Sequence, residues 1–207
     1  MTIRGDSVEY ELLKKWCDDL KLTFQVKEAE RLKLTPEILT CEIGIREGLG
    51  SKIILESIKE RLRNMNYNMS YFRHIGIDPY NNLKYQHYDN SPSYTSDYTN
   101  EMCETMRKDF KNEKNFEFYQ LDDKTFMKLH SSAWTMRNFN LVHFDGPHMT
   151  RDVISEAVWF ADRSVSGTRF IFDDYKKYDS DTLIKMLSYY RFKVLESGNN
   201  KLCLEKE

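Results

Sequence analysis

The sequence predicts an α/β fold in which a seven-stranded, mostly parallel sheet carries helices on both faces. Short apolar segments alternate with amphipathic segments along most of the chain, which is the pattern of β-α-β units. The last two predicted strands are joined by the turn Gly198-Asn199-Asn200, which predicts an antiparallel hairpin at the end of the chain. The 207 residues suit one domain, 1–207, with a sizeable core.

The N-terminal segment, residues 1–36, is predicted to form two helices. Apolar residues recur every four positions over 7–20, as on one face of a helix. A second, more charged helix is expected over 27–32, before the break at Pro36. Apolar faces on these helices would permit a homodimer.

The remaining elements follow in alternation. The predicted strands are 38–45, 74–80, 116–121, 140–144, 168–172, 192–196 and 202–204. The predicted helices between them are 51–63, 123–134, 151–163 and 182–190. Ligands of parallel sheets bind outside the carboxyl ends of the strands, so residues at these ends are the first candidates for a site.

An insertion at 83–112 interrupts the alternation. Its first part, 83–99, is rich in Tyr, Asn, Ser and Asp, and a helix with apolar residues at four-residue spacing follows. The insertion comes just after the second strand, where it is either a lid over the site or a plain surface loop.

The first strand runs into a glycine-rich turn, EIGIREGLGS, at 42–51. Glycines let the backbone approach a ligand closely at the start of a helix. Their GxxxGxG spacing is wider than the GxGxxG of nicotinamide-binding turns, and no GxxxxGK phosphate loop is present. The glutamate before the first glycine suits a cationic ligand, although a tight turn without a ligand is the alternative.

Acidic residues follow the second and third strands. Asp78 suits the two hydroxyls of a ribose, or else forms the turn before Pro79. Asp122 is expected to accept a hydrogen bond from an adenine amino group, whereas Asp123 is expected to cap the next helix.

The fourth and fifth strands end in Asp145-Gly146-Pro147-His148 and in Asp173-Asp174. If these strands are neighbours, three carboxylates and one imidazole converge. Three oxygen ligands suit Mg²⁺, and an imidazole that titrates near neutrality suits a general base. The alternative for each aspartate is a helix cap. His143, inside a strand, is expected to pack or hydrogen-bond in the interior.

Charge and cysteine content exclude several classes of function. The net charge of −2 gives no excess of positive charge, so nucleic acid is not an expected partner. The four cysteines form no CxxC pair, and are expected to be reduced thiols in a cytoplasmic protein. No apolar segment approaches the length of a membrane helix. The expected partner is a small-molecule acceptor.

These motifs resemble the class I S-adenosylmethionine-dependent methyltransferases, and especially the metal-dependent O-methyltransferases that include the macrocin and mycinamicin sugar O-methyltransferases. The resemblance rests on the glycine turn, the acid of GIDP, DGPH and FDDY, and covers residues from about 32 to the C-terminus. It implies a Rossmann-like fold, S-adenosylmethionine as cofactor, and Mg²⁺ as a further cofactor.

The resemblance also implies a role for each matching position. The implied cofactor-binding residues are Glu42, Gly44, Glu47, Gly48, Ser51, Asp78, Asp122 and Asp145. The implied metal ligands are Asp145, Asp173 and Asp174, with His148 as the base. Pro147 and the double aspartate depart from the usual pattern of the family, which leaves a metal-free methyltransferase open. A catalytically silent domain that binds a nucleotide-like ligand or a protein partner is the alternative from another class.

Overall fold

The computed structural model describes residues 8–22, 26–27, 31, 37–81, 83–95, 97–131 and 138–207. The second predicted N-terminal helix and the end of the helix predicted to reach Trp134 lie largely outside these residues.

The described residues form six helices and nine strands, apart from two short 3₁₀ turns. The helices are α1 (Tyr10–Asp18), α2 (Leu49–Asn64), α3 (Asn100–Asp109), α4 (Asp123–His130), α5 (Thr150–Ala161) and α6 (Ser180–Ser188). The strands are β1 (Ile38–Ile43), β2 (Phe72–Ile77), β3 (Lys84–Tyr85), β4 (Tyr94–Thr95), β5 (Phe116–Tyr119), β6 (Phe139–Phe144), β7 (Ser164–Phe172), β8 (Phe192–Ser197) and β9 (Leu202–Lys206).

Seven of these strands form one sheet in the order β5-β2-β1-β6-β7-β9-β8. The pairs from β5 to β7 are parallel, and β9 pairs antiparallel with both β7 and β8. The predicted Rossmann-like α/β fold and its C-terminal hairpin are therefore confirmed. The order also reverses next to β1, so β1 and β6 leave a crevice at their carboxyl ends.

The core has two layers, one on each face of the sheet. On one face α4, α5 and α6 bury apolar side chains such as Phe126, Phe160 and Leu187. On the other face α1, α2 and α3 bury Trp16 and Ile54, among others.

All four cysteines are buried and unpaired. Within the described part of the chain, no helix has the length and apolar character needed to cross a membrane.

The second strand is shorter than predicted, because a side chain takes the place of a neighbouring strand as hydrogen-bond acceptor at its end. β2 ends at Ile77 rather than at Tyr80, because an oxygen of Asp78 accepts the N–H of Tyr80 at 3.0 Å and turns the chain. The insertion contains the two-stranded hairpin β3–β4, followed by α3.

Candidate active site

A cavity of about 620 Å³ lies at the carboxyl ends of β1, β2, β6 and β7. Its volume falls in the range of roughly 300–1,000 Å³ that is usual for small-molecule sites. The residues that line it include seven aspartates and a single lysine, Lys177. This acidic wall favours a cationic or neutral ligand over an anionic one.

Gly44, the first glycine of the turn, lines the cavity next to β6. Gly44 has a φ of +82°, and a Cβ atom on it would lie 2.1 Å from the carbonyl oxygen of Asp145. Gly48 caps α2 with a φ of +92°. Both positions need glycine, because a side chain is strained at these φ values, and a Cβ atom on Gly48 would lie 2.5 Å from the Phe110 ring.

Asp78 holds this turn against β2. One of its oxygens accepts the N–H groups of Ile45 and Arg46 at 2.9 and 3.0 Å, and the other accepts that of Tyr80. Burial raises the pKa of Asp78 to about 6, against the opposing effect of the three N–H donors. Asp78 lines the cavity, and its contact with a ribose stays a prediction.

Glu42 does not line the cavity. Its buried carboxylate instead accepts hydrogen bonds from the Ser51 hydroxyl and from His143 Nδ1, the latter at 2.8 Å. Glu47, Gly48 and Ser51 are also absent from the cavity wall. Of the eight predicted cofactor-binding residues, Gly44, Asp78, Asp122 and Asp145 line the cavity. Contact with the cofactor stays a prediction for all eight.

The expected roles of Asp122 and Asp123 are wrong in one respect. Asp122 caps α4, accepting the N–H of Thr125 at 2.7 Å. Asp123 is buried and accepts the Tyr85 hydroxyl at 3.0 Å. Asp122 rather than Asp123 is the cap, because α4 begins one residue after Asp122. Both acids line the cavity.

The ends of β6 and β7 bring the predicted catalytic residues to one wall, as expected for neighbouring strands. His148 Nε2 lies 3.4 Å from a carboxylate oxygen of Asp174, which also pairs with Lys177. Asp145 and Asp173 hydrogen-bond to each other, and burial together with Asp173 raises the pKa of Asp145 well above its usual value.

A chain of buried polar groups continues behind this wall. His143 links Glu42 to Lys201, whose Nζ lies 3.4 Å from His143 Nε2 and 3.0 Å from an oxygen of Asp173. The expectation that His143 hydrogen-bonds in the interior is confirmed. Lys201 was not predicted as part of the site. The feature of the sequence that points to it is a lysine directly before an apolar strand.

Two of the three predicted magnesium ligands, Asp173 and Asp174, already pair with lysines, and metal binding by them stays a prediction. Asp174 turns to His148 and Lys177, while Asp173 is held by Lys201 and by the side-chain amide of Asn200 at 2.9 Å. Among the described residues, one group of three has potential ligand atoms within 4.8 Å of one another, namely Glu42, His143 and Asp145. That group includes an imidazole, whereas Mg²⁺ prefers six oxygen ligands.

The insertion forms the opposite wall of the cavity. The rings of Tyr85, His87 and Tyr94 pack with centroids 5.4–5.6 Å apart, and all three line the cavity. His87 Nδ1 lies 2.5 Å from Asp152 of α5, which anchors the insertion on the body of the domain. Tyr85 and His87 are buried, whereas Tyr94 is exposed. Movement of the insertion as a lid stays a prediction.

Comparisons with known proteins agree with this geometry. The family model described as "Methyltransferase domain" matches residues 41–175, from the glycine turn to the end of β7. No protein with a curated function matches the chain by sequence.

Solved structures with low sequence identity share the fold. CalS11, a TDP-rhamnose 3′-O-methyltransferase of calicheamicin biosynthesis, is 13% identical with a TM-score of 0.57, over 95% of this chain and 79% of its own. An O-methyltransferase from Bacillus cereus in complex with SAH is 11% identical with a TM-score of 0.54, over 99% and 84%. MycE from mycinamycin biosynthesis, in complex with Mg and SAH, is 14% identical with a TM-score of 0.52, over 89% and 48%. The chain thus spans about half the length of MycE.

Proposed function

This chain belongs to the family of class I S-adenosylmethionine-dependent methyltransferases, and we propose that it methylates a hydroxyl group of a small molecule. The observation that carries the proposal is the pairing of His148 with Asp174 on the wall of an acidic cavity, beside the glycine turn.

The cofactor is proposed to lie along the carboxyl ends of β1 and β2. The absence of side chains at Gly44 lets its methionine part approach the backbone, and the N-terminus of α2 offers partial positive charge to its carboxylate. Asp78 is proposed to contact the ribose, and Asp122 lies on the same wall. The aspartates of the cavity stabilise the positive charge of the sulfonium group.

His148 is proposed to act as the general base. Its Nε2 lies 3.4 Å from an oxygen of Asp174, and this carboxylate is proposed to orient the ring so that Nδ1 serves as the base. Nδ1 takes the proton of the acceptor hydroxyl while the oxygen attacks the methyl carbon of the sulfonium. The carbon–sulfur bond breaks, its electron pair stays on sulfur, and the products are a methyl ether and S-adenosylhomocysteine. The protein contributes positioning and electrostatics.

The cavity wall also indicates the class of acceptor. The exposed Tyr94 offers a ring face for a sugar or phenol ring, and seven aspartates make the site unfavourable to phosphates. CalS11 acts on TDP-rhamnose, an anionic nucleotide sugar, and we propose that this chain instead takes a neutral or cationic acceptor.

A methyl-transfer assay with a panel of acceptors tests the proposal. Purified protein is incubated with S-adenosylmethionine and with neutral glycosides, amino sugars, phenols or nucleotide sugars, and mass spectrometry detects addition of a methyl group. His148→Ala should lower the rate of product formation by about 10²–10⁴-fold while binding of S-adenosylhomocysteine is retained. His130→Gln is a control because His130 lies on α4 away from the cavity wall. Unchanged turnover by His148→Ala would contradict the proposed base.

A further inference from the structure

Lys201 places a buried positive charge directly behind the acids of the cavity. It is fully buried at the start of the last strand, with Nζ 3.0 Å from an oxygen of Asp173. Its backbone is fixed as well, because the Glu9 carboxylate accepts the N–H groups of Asn199, Asn200 and Lys201 at 2.7–3.0 Å. The ammonium group therefore has a defined position.

The neighbours of Lys201 are arranged to compensate a cation. His143 Nδ1 lies 2.8 Å from a Glu42 oxygen, so Nδ1 carries the proton and Nε2 accepts from the ammonium. The Tyr10 ring lies 5.6 Å from Nζ and adds a cation–π contact. An ammonium without such partners is costly to bury, and removal of one partner leaves the other charge unpaired.

The same contacts occupy the atoms that a metal would need. Within the candidate group of Glu42, His143 and Asp145, Glu42 already accepts from Ser51 and His143, and His143 Nε2 already accepts from Lys201. A divalent ion would have to displace these donors and sit beside a positive charge. Coulomb repulsion at such distances is large in a buried site.

We propose that the Lys201 ammonium is the resident cation of this site, in the place of a divalent metal, and that methyl transfer proceeds without metal. This inference rests on the proposed methyltransferase function. Lys201 acts as a positioning residue: it holds Asp173, and through Asp173 it holds Asp145 on the cavity floor beside Gly44.

The proposal is tested by a titration with Mn²⁺, in which electron paramagnetic resonance measures the concentration of the free ion. This binding measurement does not depend on turnover. The wild-type protein should bind no Mn²⁺ at the site, and its methyl transfer should be equal in excess EDTA and in excess Mg²⁺. Lys201→Gln removes the charge and should gain Mn²⁺ affinity by at least about tenfold, because the repulsion is gone. Lys206→Gln is the matched control, since Lys206 is the last residue of β9, which Lys201 directly precedes, but it binds the carbonyls of Ala161 and Ser164.

Two results would overturn the proposal. One is stoichiometric Mn²⁺ binding by the wild-type protein, or loss of its activity in EDTA. The other is a folded Lys201→Gln protein that binds no more Mn²⁺ than Lys206→Gln. If Lys201→Gln does not fold, the wild-type titration decides alone. A missing response to S-adenosylhomocysteine would count against the methyltransferase function, and leaves the outcome of the Mn²⁺ titration unaffected.

Discussion

Replacing Asp78 tests how the glycine turn is held against β2. Its carboxylate accepts three backbone N–H groups, those of Ile45, Arg46 and Tyr80, and the bonds from Ile45 and Tyr80 are buried. Asp78→Ala leaves both buried donors without a partner. At about 1–3 kcal/mol for each, the free energy of unfolding should fall by about 2–6 kcal/mol.

Asp78→Asn separates this structural role from a contact with the ribose. The amide oxygen can still accept from Ile45 and Arg46, while the amide nitrogen faces the N–H of Tyr80 as a second donor. One buried donor is then unsatisfied, which should lower the free energy of unfolding by about 1–3 kcal/mol.

Urea unfolding gives these free energies, and calorimetric titration of the folded proteins with S-adenosylhomocysteine gives the affinities. Asp179→Ala is the reference for an acid that caps a helix outside the cavity, with an expected loss of about 1 kcal/mol. If Asp78→Ala loses no more stability than Asp179→Ala, the assignment of Asp78 as the support of the turn is wrong. If Asp78→Asn binds S-adenosylhomocysteine with the affinity of the wild-type protein, the proposed contact between Asp78 and the ribose is wrong.

Three further substitutions test other parts of the account. His148→Ala should lower methyl transfer by about 10²–10⁴-fold in a rate assay without changing cofactor affinity; a change in affinity alone would argue for a binding role. Gly44→Ala should destabilise by at least about 1–2 kcal/mol from its left-handed backbone alone, and weaken S-adenosylhomocysteine binding in calorimetry, because its Cβ meets the Asp145 carbonyl. Burial and His143 lower the pKa of His74 to about 3, so the neutral form is the folded one and stability should fall as pH drops below about 6.5, by up to about 1.4 kcal/mol per pH unit. Urea unfolding of His74→Gln across this range should show a smaller slope; an equal slope would place the titrating group elsewhere.

The order of strands and helices was predictable because each apolar segment has the length and the flanking turn of its element. The glycine turn at 42–51 and the acid after each strand were also readable, since parallel strands bring their carboxyl ends to one edge of the sheet. The proximity of His148 and Asp174 followed from the adjacency of β6 and β7.

The direction of individual side chains was not readable from the sequence. Glu42 precedes the glycines, but its carboxylate turns to Ser51 and His143 rather than to the cavity. Asp174 and Asp173 are adjacent, yet a left-handed backbone at Asp174 separates their partners. Lys201 directly precedes β9, which pairs with β7 but follows it much later in the chain, so no local pattern encodes its contact with Asp173.

The most direct measurement is thermal unfolding of the wild-type protein with and without S-adenosylhomocysteine. At about 100 times its dissociation constant, a ligand of the folded state adds about 2.7 kcal/mol of stability, which is several degrees in Tm for a domain of this size. We expect such a shift for the wild-type protein and a smaller one for Asp78→Asn. No shift in the wild-type protein at saturating ligand would contradict the assignment of this cavity as a cofactor site, and would favour a catalytically silent domain.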